Sequence, residues 1–258
     1  MFDLLVTVLL LVIIGLGAGT VGSMLGVGGG IMMVPALSYL GITPTQIAST
    51  SLFAVSSTSV SSTVEYSRQR RIDYKLGVLM AAVAVPGAII GAVLSGNLGL
   101  DQFRLYFGIL LVLAGIYILY KNSILKENVK PKMPARYRYL AVSSASLVAG
   151  IISSLFGVGG GVIFVPVMLL VLGIGMHRAA ATSQLILMIT SIAGVLTHVA
   201  LGHPDYLFAI ALSAGAFAGA QIGARKSKSA KDLLLQKILG GVLIVVGARM
   251  MLDWILSR

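Results

Sequence analysis

The sequence predicts an all-α, polytopic membrane protein made of two inverted repeats, each with five segments. Three observations predict this class. Of the 258 residues, 57% are hydrophobic and 10% are charged, whereas about 25% of the residues in a soluble domain are charged. Apolar runs long enough to span a hydrocarbon core of roughly 30 Å recur along the chain. A glycine-rich phrase ending in Val-Pro occurs twice, at residues 26–35 and 157–166.

Ten apolar segments can be placed along the chain. In the first half they are 4–25, 31–40, 45–66, 76–98 and 103–120, and in the second 139–156, 162–172, 177–198, 207–224 and 233–256. The second segment of each half has about ten residues, which as a helix cover only ~15 Å, about half of the hydrocarbon core. We therefore expect about ten transmembrane segments, of which two are short or broken helices that either cross or re-enter.

The two halves are related by an internal duplication. From Gly41 and Gly173 onward, residues match at a constant offset of 132, and the glycine phrases match at 131. The matched positions include the stretches 48–51 and 180–183, the Asp-Tyr pairs at 73–74 and 205–206, and the Gly-x-x-x-Gly steps at 87–91 and 219–223. The predicted organisation is a first transmembrane repeat (1–121), a basic cytoplasmic linker (122–136) and a second transmembrane repeat (137–258).

Loop charges favour five crossings in each half. If every segment crosses and the N-terminus is outside, the cytoplasmic loops hold every Lys and Arg except Arg104, Arg249 and Arg258. If the short segments do not cross, the basic cluster at 225–237 moves outside, against the positive-inside tendency. Five crossings invert one half relative to the other and place both termini outside. The net charge of +11 is thus an orientation signal, and no nucleic-acid partner is expected.

The glycine phrases are the first candidate binding site. Glycine in left-handed or extended conformations presents successive N–H groups, and such a nest at a helix N-terminus favours a small anion. Each phrase has three glycines that lead into a short segment containing proline. The candidate residues are Gly28, Gly29 and Gly30 in the first half and Gly159, Gly160 and Gly161 in the second. Close helix packing is the alternative interpretation.

Neutral polar residues that follow the short segments are the second candidate. Their hydroxyl and amide groups could bind an oxyanion without carrying charge, or could simply bond neighbouring helices at about 0.6 kcal/mol each. These residues are Thr50 and Ser51 in the first half and Thr182, Ser183 and Gln184 in the second. Two ionisable residues within spans, Glu65 and His198, are candidates for proton coupling, with headgroup exposure near the helix ends as the alternative.

These residues resemble the sulfite exporter TauE/SafE family of membrane transporters. The resemblance rests on the duplicated Gly-x-Gly-Gly-Gly-x-x-x-Val-Pro phrase, the Thr-Ser stretches, the Asp-Tyr pairs and the Gly-x-x-x-Gly steps. It implies a carrier of prokaryotic inner-membrane type for a small anion such as sulfite, an organosulfonate or a related organic acid. Efflux is the commoner direction in the family.

We therefore expect a secondary transporter that exports a small anion by alternating access around a mid-membrane site. Coupling to protons, to sodium or to the anion gradient alone is left open, as is a homo-oligomer. A small-anion channel and a non-transporting membrane scaffold are the alternative functions. An enzyme is not expected, since the spans lack a His-Glu metal pair, an Asp pair and a Ser in register with a His. Neither a cofactor nor a metal ion is predicted.

Overall fold

The structure is a computed structural model that describes residues 2–124, 135–229 and 232–256. These residues form ten α-helices and no strand. The helices are α1 (Phe2–Leu25), α2 (Gly30–Ser38), α3 (Pro44–Arg68), α4 (Tyr74–Ser95), α5 (Leu100–Ile124), α6 (Ala135–Phe156), α7 (Gly161–Leu170), α8 (Met176–Ala200), α9 (Tyr206–Lys226) and α10 (Asp232–Leu256). The predicted linker, 122–136, lies mostly outside the described residues, and its two ends belong to α5 and α6.

Each of the ten predicted segments corresponds to one helix. α2 and α7 are short, at nine and ten residues, and each contains a proline. Six helices are long and apolar enough to cross a membrane, namely α1, α4, α5, α6, α8 and α9. α3 has a similar length, but Ser and Thr make up nearly half of it and lower its hydropathy. The protein is therefore an all-helical, multi-pass membrane protein.

Helices from the two halves are interleaved. α1 and α3 pack along α9, and their counterparts α6 and α8 pack along α4. α3 and α8 also pack against each other, and α5 packs along α10. α8 lies at the centre, where 72% of its spanning window is buried, compared with 22% for α1. Each contact between the halves thus has a counterpart in which the two halves are exchanged.

Small residues bring the paired helices close together. On α1, a Cβ built at Gly19 would meet the backbone of Ala216 on α9. At the matching place in the other pair, a Cβ at Gly150 on α6 would meet the backbone of Ala84 on α4. Since backbone atoms cannot move aside as a flexible side chain can, these contacts require glycine.

α3 runs parallel to α9. The Ser57 hydroxyl on α3 donates to the Ser213 carbonyl on α9 at 3.0 Å, and the Ser61 hydroxyl donates to the Phe217 carbonyl at 2.9 Å. Residue numbers on the two helices rise together, so both chains run in the same direction.

α1 runs parallel to α9 as well. The backbone of Leu16 lies against Gly219, and that of Thr20 lies against Gly223 one turn further on. α1 and α3 therefore point the same way, although only α2 and its flanking loops separate them. Between Leu25 and Pro44 the chain must return along the bundle before α3 begins.

Basic side chains gather where α3 and α9 end and α4 and α8 begin, which we call the basic end. Arg178 pairs with Asp73 at 3.2 Å, and Arg225 lies 3.5 Å from Glu65. Arg71 donates to the first turn of α8 at 3.1 Å. These contacts tie four helix ends together through charged groups.

The opposite end, which we call the far end, contains the C-terminal ends of α2 and α10. There Arg104 donates to the Ser38 carbonyl at 3.0 Å. Asp253 accepts from Tyr39 and from Arg249, both at 3.1 Å. Arg104 and Arg249 thus lie at the far end, apart from the arginines of the basic end.

Gly19 and Gly17 offer a matched test of helix packing. A Cβ at Gly17 meets nothing within 4 Å, whereas one at Gly19 meets backbone. We expect Gly19→Ala to destabilise the protein by about 1–3 kcal/mol, the usual cost of overpacking. Gly17→Ala, two residues away on the same helix, should leave thermal unfolding of the purified protein unchanged or slightly improved. Equal melting temperatures for the two variants would contradict the packing of α1 on α9.

Candidate functional site

Two loops, residues 26–29 and 157–160, connect the long helices α1 and α6 to the short helices α2 and α7. Gly26, Gly28 and Gly29 have φ of +75°, +87° and +82°, and Gly157 and Gly159 have +73° and +72°. This left-handed region is open to glycine at little cost and strained for other residues. The other candidate glycines, Gly30, Gly160 and Gly161, have no such requirement, since Gly160 has φ −62° and the other two begin α2 and α7.

The two loops cross in contact with each other. A Cβ at Gly30 would lie 2.6 Å from the Gly157 carbonyl oxygen, and one at Gly161 would lie 2.6 Å from Cα of Val27. A Cβ at Gly29 would instead meet the backbone of α1, and one at Gly160 would meet the backbone of α6, the helix before each loop. At the crossing the two backbones approach so closely that no side chain fits between them.

One pair of apolar side chains faces both loops. A Cβ at Gly28 would meet Val55 at 3.0 Å and Leu187 at 3.1 Å, and a Cβ at Gly159 would meet the same residues at 2.7 and 3.2 Å. Val55 lies halfway along α3, and Leu187 lies halfway along α8, 132 residues later. The crossing therefore lies at the middle of both central helices.

A serine from each half holds the loop of the other half. The Ser51 hydroxyl on α3 donates to the Gly157 carbonyl at 2.8 Å, and the Ser183 hydroxyl on α8 donates to the Gly26 carbonyl at 2.7 Å. Both serines are fully buried. We call these two hydrogen bonds the serine clasps.

The amide of Gln184 reinforces one side of the crossing. Its Nε2 donates to the Gly22 carbonyl at 3.2 Å. The same carbonyl accepts the N–H groups of Val27 and Gly28 at 2.9 and 3.2 Å. The N–H of Gly28 therefore closes the end of α1. The N–H groups of Met32 and Met33 bond the Gly29 carbonyl, so those of Gly29, Gly30 and Ile31, which precede the first hydrogen bond of α2, are the ones that a ligand could bind.

The two threonines differ in their partners. Thr182 accepts the backbone N–H of Asp73 at 3.0 Å. Thr50, its counterpart, is fully buried, and its hydroxyl oxygen has no hydrogen-bond partner within the protein. The Oε1 of Gln184 is in the same situation. A buried polar atom without a partner costs free energy. Of these two, the Thr50 hydroxyl can donate to an anion, whereas Oε1 of Gln184 can only accept.

Beside the crossing lies an apolar cavity of about 50 Å³, between α5 and α7. Its wall includes Val27, Ile31, Gly161, Val162 and Pro166. A pocket for a small molecule usually has a volume of about 300–1,000 Å³. This cavity is thus too small for such a molecule in this conformation.

The two coupling candidates lie away from the crossing, at opposite ends. Glu65 accepts from Gln69 at 3.0 Å and pairs with Arg225 at the basic end. His198 lies toward the far end and is fully buried, so headgroup exposure does not explain it. Its Nδ1 lies 2.9 Å from Nδ1 of His203, and its Nε2 lies 3.1 Å from the Ser154 carbonyl oxygen.

Our sequence reasoning missed one residue that anchors a loop. The Tyr66 hydroxyl donates to the Ser23 carbonyl at 2.8 Å, three residues before Gly26. Tyr66 precedes His198 by 132 residues, and Ser23 precedes Ser154 by 131. Tyr66 and His198 therefore occupy equivalent positions in the two repeats, but the two residue types differ too much for the match to be noticed in the sequence.

Ten helices among the described residues, with two glycine loops at their centre, define the class of polytopic membrane proteins. Residues 11–250 match the family described as "Sulfite exporter TauE/SafE", and the chain belongs to this family. The protein is therefore a membrane transporter of the TauE/SafE type, which implies a small-molecule substrate and a lipid bilayer around it.

Relatives of known name agree with this class. The probable membrane transporter protein YunE of Bacillus subtilis is 33% identical, covering 96% of this chain and 98% of the relative. YdhB of the same organism is 23% identical over 90% of this chain and 95% of the relative. YfcA of Escherichia coli K12 is 26% identical over 92% and 86%. No solved structure matches the chain significantly.

The serine clasps can be tested by removing one hydroxyl. Ser183→Ala leaves the buried Gly26 carbonyl without its partner, so we expect a loss of about 1–3 kcal/mol in the free energy of unfolding. Ser146→Ala is the control, since Ser146 is equally buried but donates to its own helix at Val142. Thermal unfolding in detergent measures both. Equal losses of stability in Ser146→Ala and Ser183→Ala would show that the bond between the two halves contributes no more than a bond within one helix.

Proposed function

We propose that the protein is a secondary transporter that exports a small anion by alternating access. Sulfite, an organosulfonate or a related organic acid is the proposed substrate. The observation that carries the proposal is the crossing of two glycine loops halfway along α3 and α8, where each half holds the loop of the other. Family membership supports transport.

The directions of the helices support two inverted repeats with ten crossings. α1 and α3 both run parallel to α9, so α2 and its loop must carry the chain back between them. If α2 were re-entrant, α3 would run antiparallel to α1. In the second half, α6 lies parallel to α4, with Leu147 facing Gly87 and Ile151 facing Gly91. α8 runs the same way, since Thr182 bonds Asp73 and Leu185 lies beside Gly77. The proposed repeats are 1–121 and 137–258, joined by 122–136.

The charges of the two ends support one orientation. The basic end holds Arg71, Arg178 and Arg225, and such an excess is typical of the cytoplasmic side. α1 ends on the same side as α9, because the two helices are parallel. Both termini are then outside, in the inner or plasma membrane.

Recognition of an anion at the crossing would use neutral groups. Among the described residues, the buried polar side chains are Ser, Thr, Gln184 and His198, with no Lys, Arg, Asp or Glu. The hydroxyls of Ser51 and Ser183, the N–H groups of Gly29 and Gly30 and the amide of Gln184 supply donors. Neutral donors can hold a small oxyanion without the desolvation cost of a buried cation.

The serine clasps link binding to movement. The Ser51 hydroxyl donates a hydrogen bond to the Gly157 carbonyl, and an anion would accept a hydrogen bond from the same hydroxyl. An anion that accepts this hydrogen bond in place of the carbonyl releases the second loop, so binding and loop release become one event. Ser183 does the same for the first loop. Opening one clasp at a time exposes the site to one side at a time, as alternating access requires.

Export also agrees with the energetics of the membrane. A membrane potential that is negative inside favours the exit of an anion by ~2.3 kcal/mol per charge per 100 mV. The anion gradient and the potential are therefore sufficient for net efflux, and coupling to protons or sodium would add to them.

The main test combines binding and flux. Purified protein is screened by thermal shift against sulfite, small organosulfonates and carboxylates, and each hit is assayed for counterflow in proteoliposomes. We expect at least one anion both to stabilise the protein and to show saturable counterflow. Unitary currents in a planar bilayer would show a channel instead. Failure of every anion both to bind and to move would sink the proposal.

Thr50→Val tests the site directly. Its hydroxyl has no protein partner, so removing it should leave stability unchanged, while losing a hydrogen bond to a charged ligand costs about 1.5–3 kcal/mol, or about 10–150-fold in affinity. The control is Thr58→Val on the same helix, where the buried hydroxyl donates to its own helix at Ala54. Equal anion affinities for Thr50→Val and the unmodified protein would exclude Thr50 from the site.

A further inference from the structure

The helix before each loop ends in a turn with a carbonyl group that a side chain from a central helix contacts. Tyr66 on α3 donates to Ser23 in the last turn of α1, and His198 on α8 contacts Ser154 in the last turn of α6. The two contacts are equivalent in the repeat register. They lie at opposite ends, because Tyr66 is near the basic end and His198 is near the far end. The carbonyl groups in the last turn of a helix lack intrahelical donors, and these side chains supply them.

The geometry fixes the protons of the histidine pair. A carbonyl oxygen only accepts, so Nε2 of His198 carries the hydrogen that binds Ser154. In a neutral imidazole the other nitrogen, Nδ1, is then an acceptor. The 2.9 Å contact between the two Nδ1 atoms therefore requires that His203 donate and His198 accept.

The neighbourhood of the pair holds few other charges. α8 packs against α1, α3, α4, α6 and α7. α7 has no titratable residue, those of α3, α4 and α6 lie toward their basic ends, and α1 has only Asp3, in its first turn. The nearest carboxylate in sequence is Asp205, which accepts the N–H of Phe208 at the start of α9. Burial lowers the pKa of His203.

We infer that His198 and His203 form a proton-binding site and that a proton taken up at Nδ1 of His198 opens the far end of the bundle. The inference rests on the proposed alternating access. In the closed form the two Nδ1 atoms share one hydrogen, so Nδ1 of His198 can gain a hydrogen of its own only after the contact breaks. A proton on Nε2 of His203 leaves the contact intact, and His198 is therefore the switch.

The sign of the pH dependence follows from this geometry. The closed pair can hold one added proton, on Nε2 of His203, whereas the separated rings can hold two, so closure is favoured at high pH and lost as the pH falls. At the other end Tyr66 occupies the equivalent place, and it has no imidazole that could take up a proton in this range. Acid thus opens the far end alone, and a carrier oriented as proposed responds to the pH outside.

The protons can be observed directly. The chain has three histidines, so ¹⁵N NMR of protein labelled at histidine, assigned with His177→Gln and His203→Gln, resolves each ring. At pH 8 we expect His198 protonated at Nε2 only and His203 at Nδ1 only. On acidification His198 should gain its proton together with loss of the 2.9 Å contact. The opposite tautomer at His198, or a doubly protonated His198 at pH 8, would overturn the inference.

Opening can be measured because the chain has no cysteine. Thr50→Cys reports on the far-end side, since nearby Leu52 on the same helix lies beside Gly194 and Ser154. Thr182→Cys, its counterpart, reports on the basic end. Maleimide labelling rates in detergent without substrate are divided by the rates of the denatured protein at each pH, which removes the effect of thiol ionisation. From pH 8 to pH 5 we expect Thr50→Cys to gain at least tenfold and Thr182→Cys to stay constant.

His198→Tyr copies the residue at the other end and removes the titration. Combined with Thr50→Cys, it should abolish the gain in labelling at low pH. An unchanged gain in this variant, or no gain with His198 present, would refute the proton site. Neither measurement uses a substrate. A pH-dependent opening without anion flux would therefore contradict the proposed function and leave the proton site standing.

Discussion

The contact between two loop backbones at the centre is the constraint on which the structure depends. Neither loop can carry a side chain where Gly30 meets the second loop and Gly161 meets the first. The loops also break helices inside the membrane, where each unsatisfied N–H or C=O costs several kcal/mol. Partners must therefore come from α3 and α8, and this explains why Ser51, Ser183 and Gln184 are buried at the middle of an apolar bundle.

Each half supplies hydrogen-bond partners for the loop of the other half. Ser51 holds the second loop and Ser183 holds the first, so the order of each loop depends on where the opposite central helix lies. A shift of α3 relative to α8 changes both clasps together. Packed interfaces of this kind prefer discrete arrangements to continuous deformation, and the proposed alternating access requires discrete arrangements.

The sequence was sufficient to predict the helices and which positions of the two halves correspond, but not which side chains bind the loops. Hydropathy placed all ten segments, and glycine chemistry identified the loops. That Ser51 binds a loop 106 residues away depends on how the halves pack, which no local pattern encodes. The pairing of Glu65 with Arg225 arises only in the folded protein, so the sequence could name Glu65 as a coupling candidate but not its partner. The Val55 and Leu187 pair carries no chemical signal at all, since both are ordinary apolar residues.

The two halves are equivalent in topology but not in strength of attachment. On α3, Ser57 and Ser61 donate hydrogen bonds to α9. At the equivalent positions of α8, the sequence has Ile189 and Ala193, which have no polar side-chain atom to donate to α4. Apolar contacts are less directional than hydrogen bonds, so α8 can shift along α4 more readily than α3 along α9. The helix that is held less firmly is also the one that carries His198. The proposed proton-sensitive contact is most effective there, because the contacts of Arg178 and Thr182 with Asp73 hold the start of α8, at the end opposite His198.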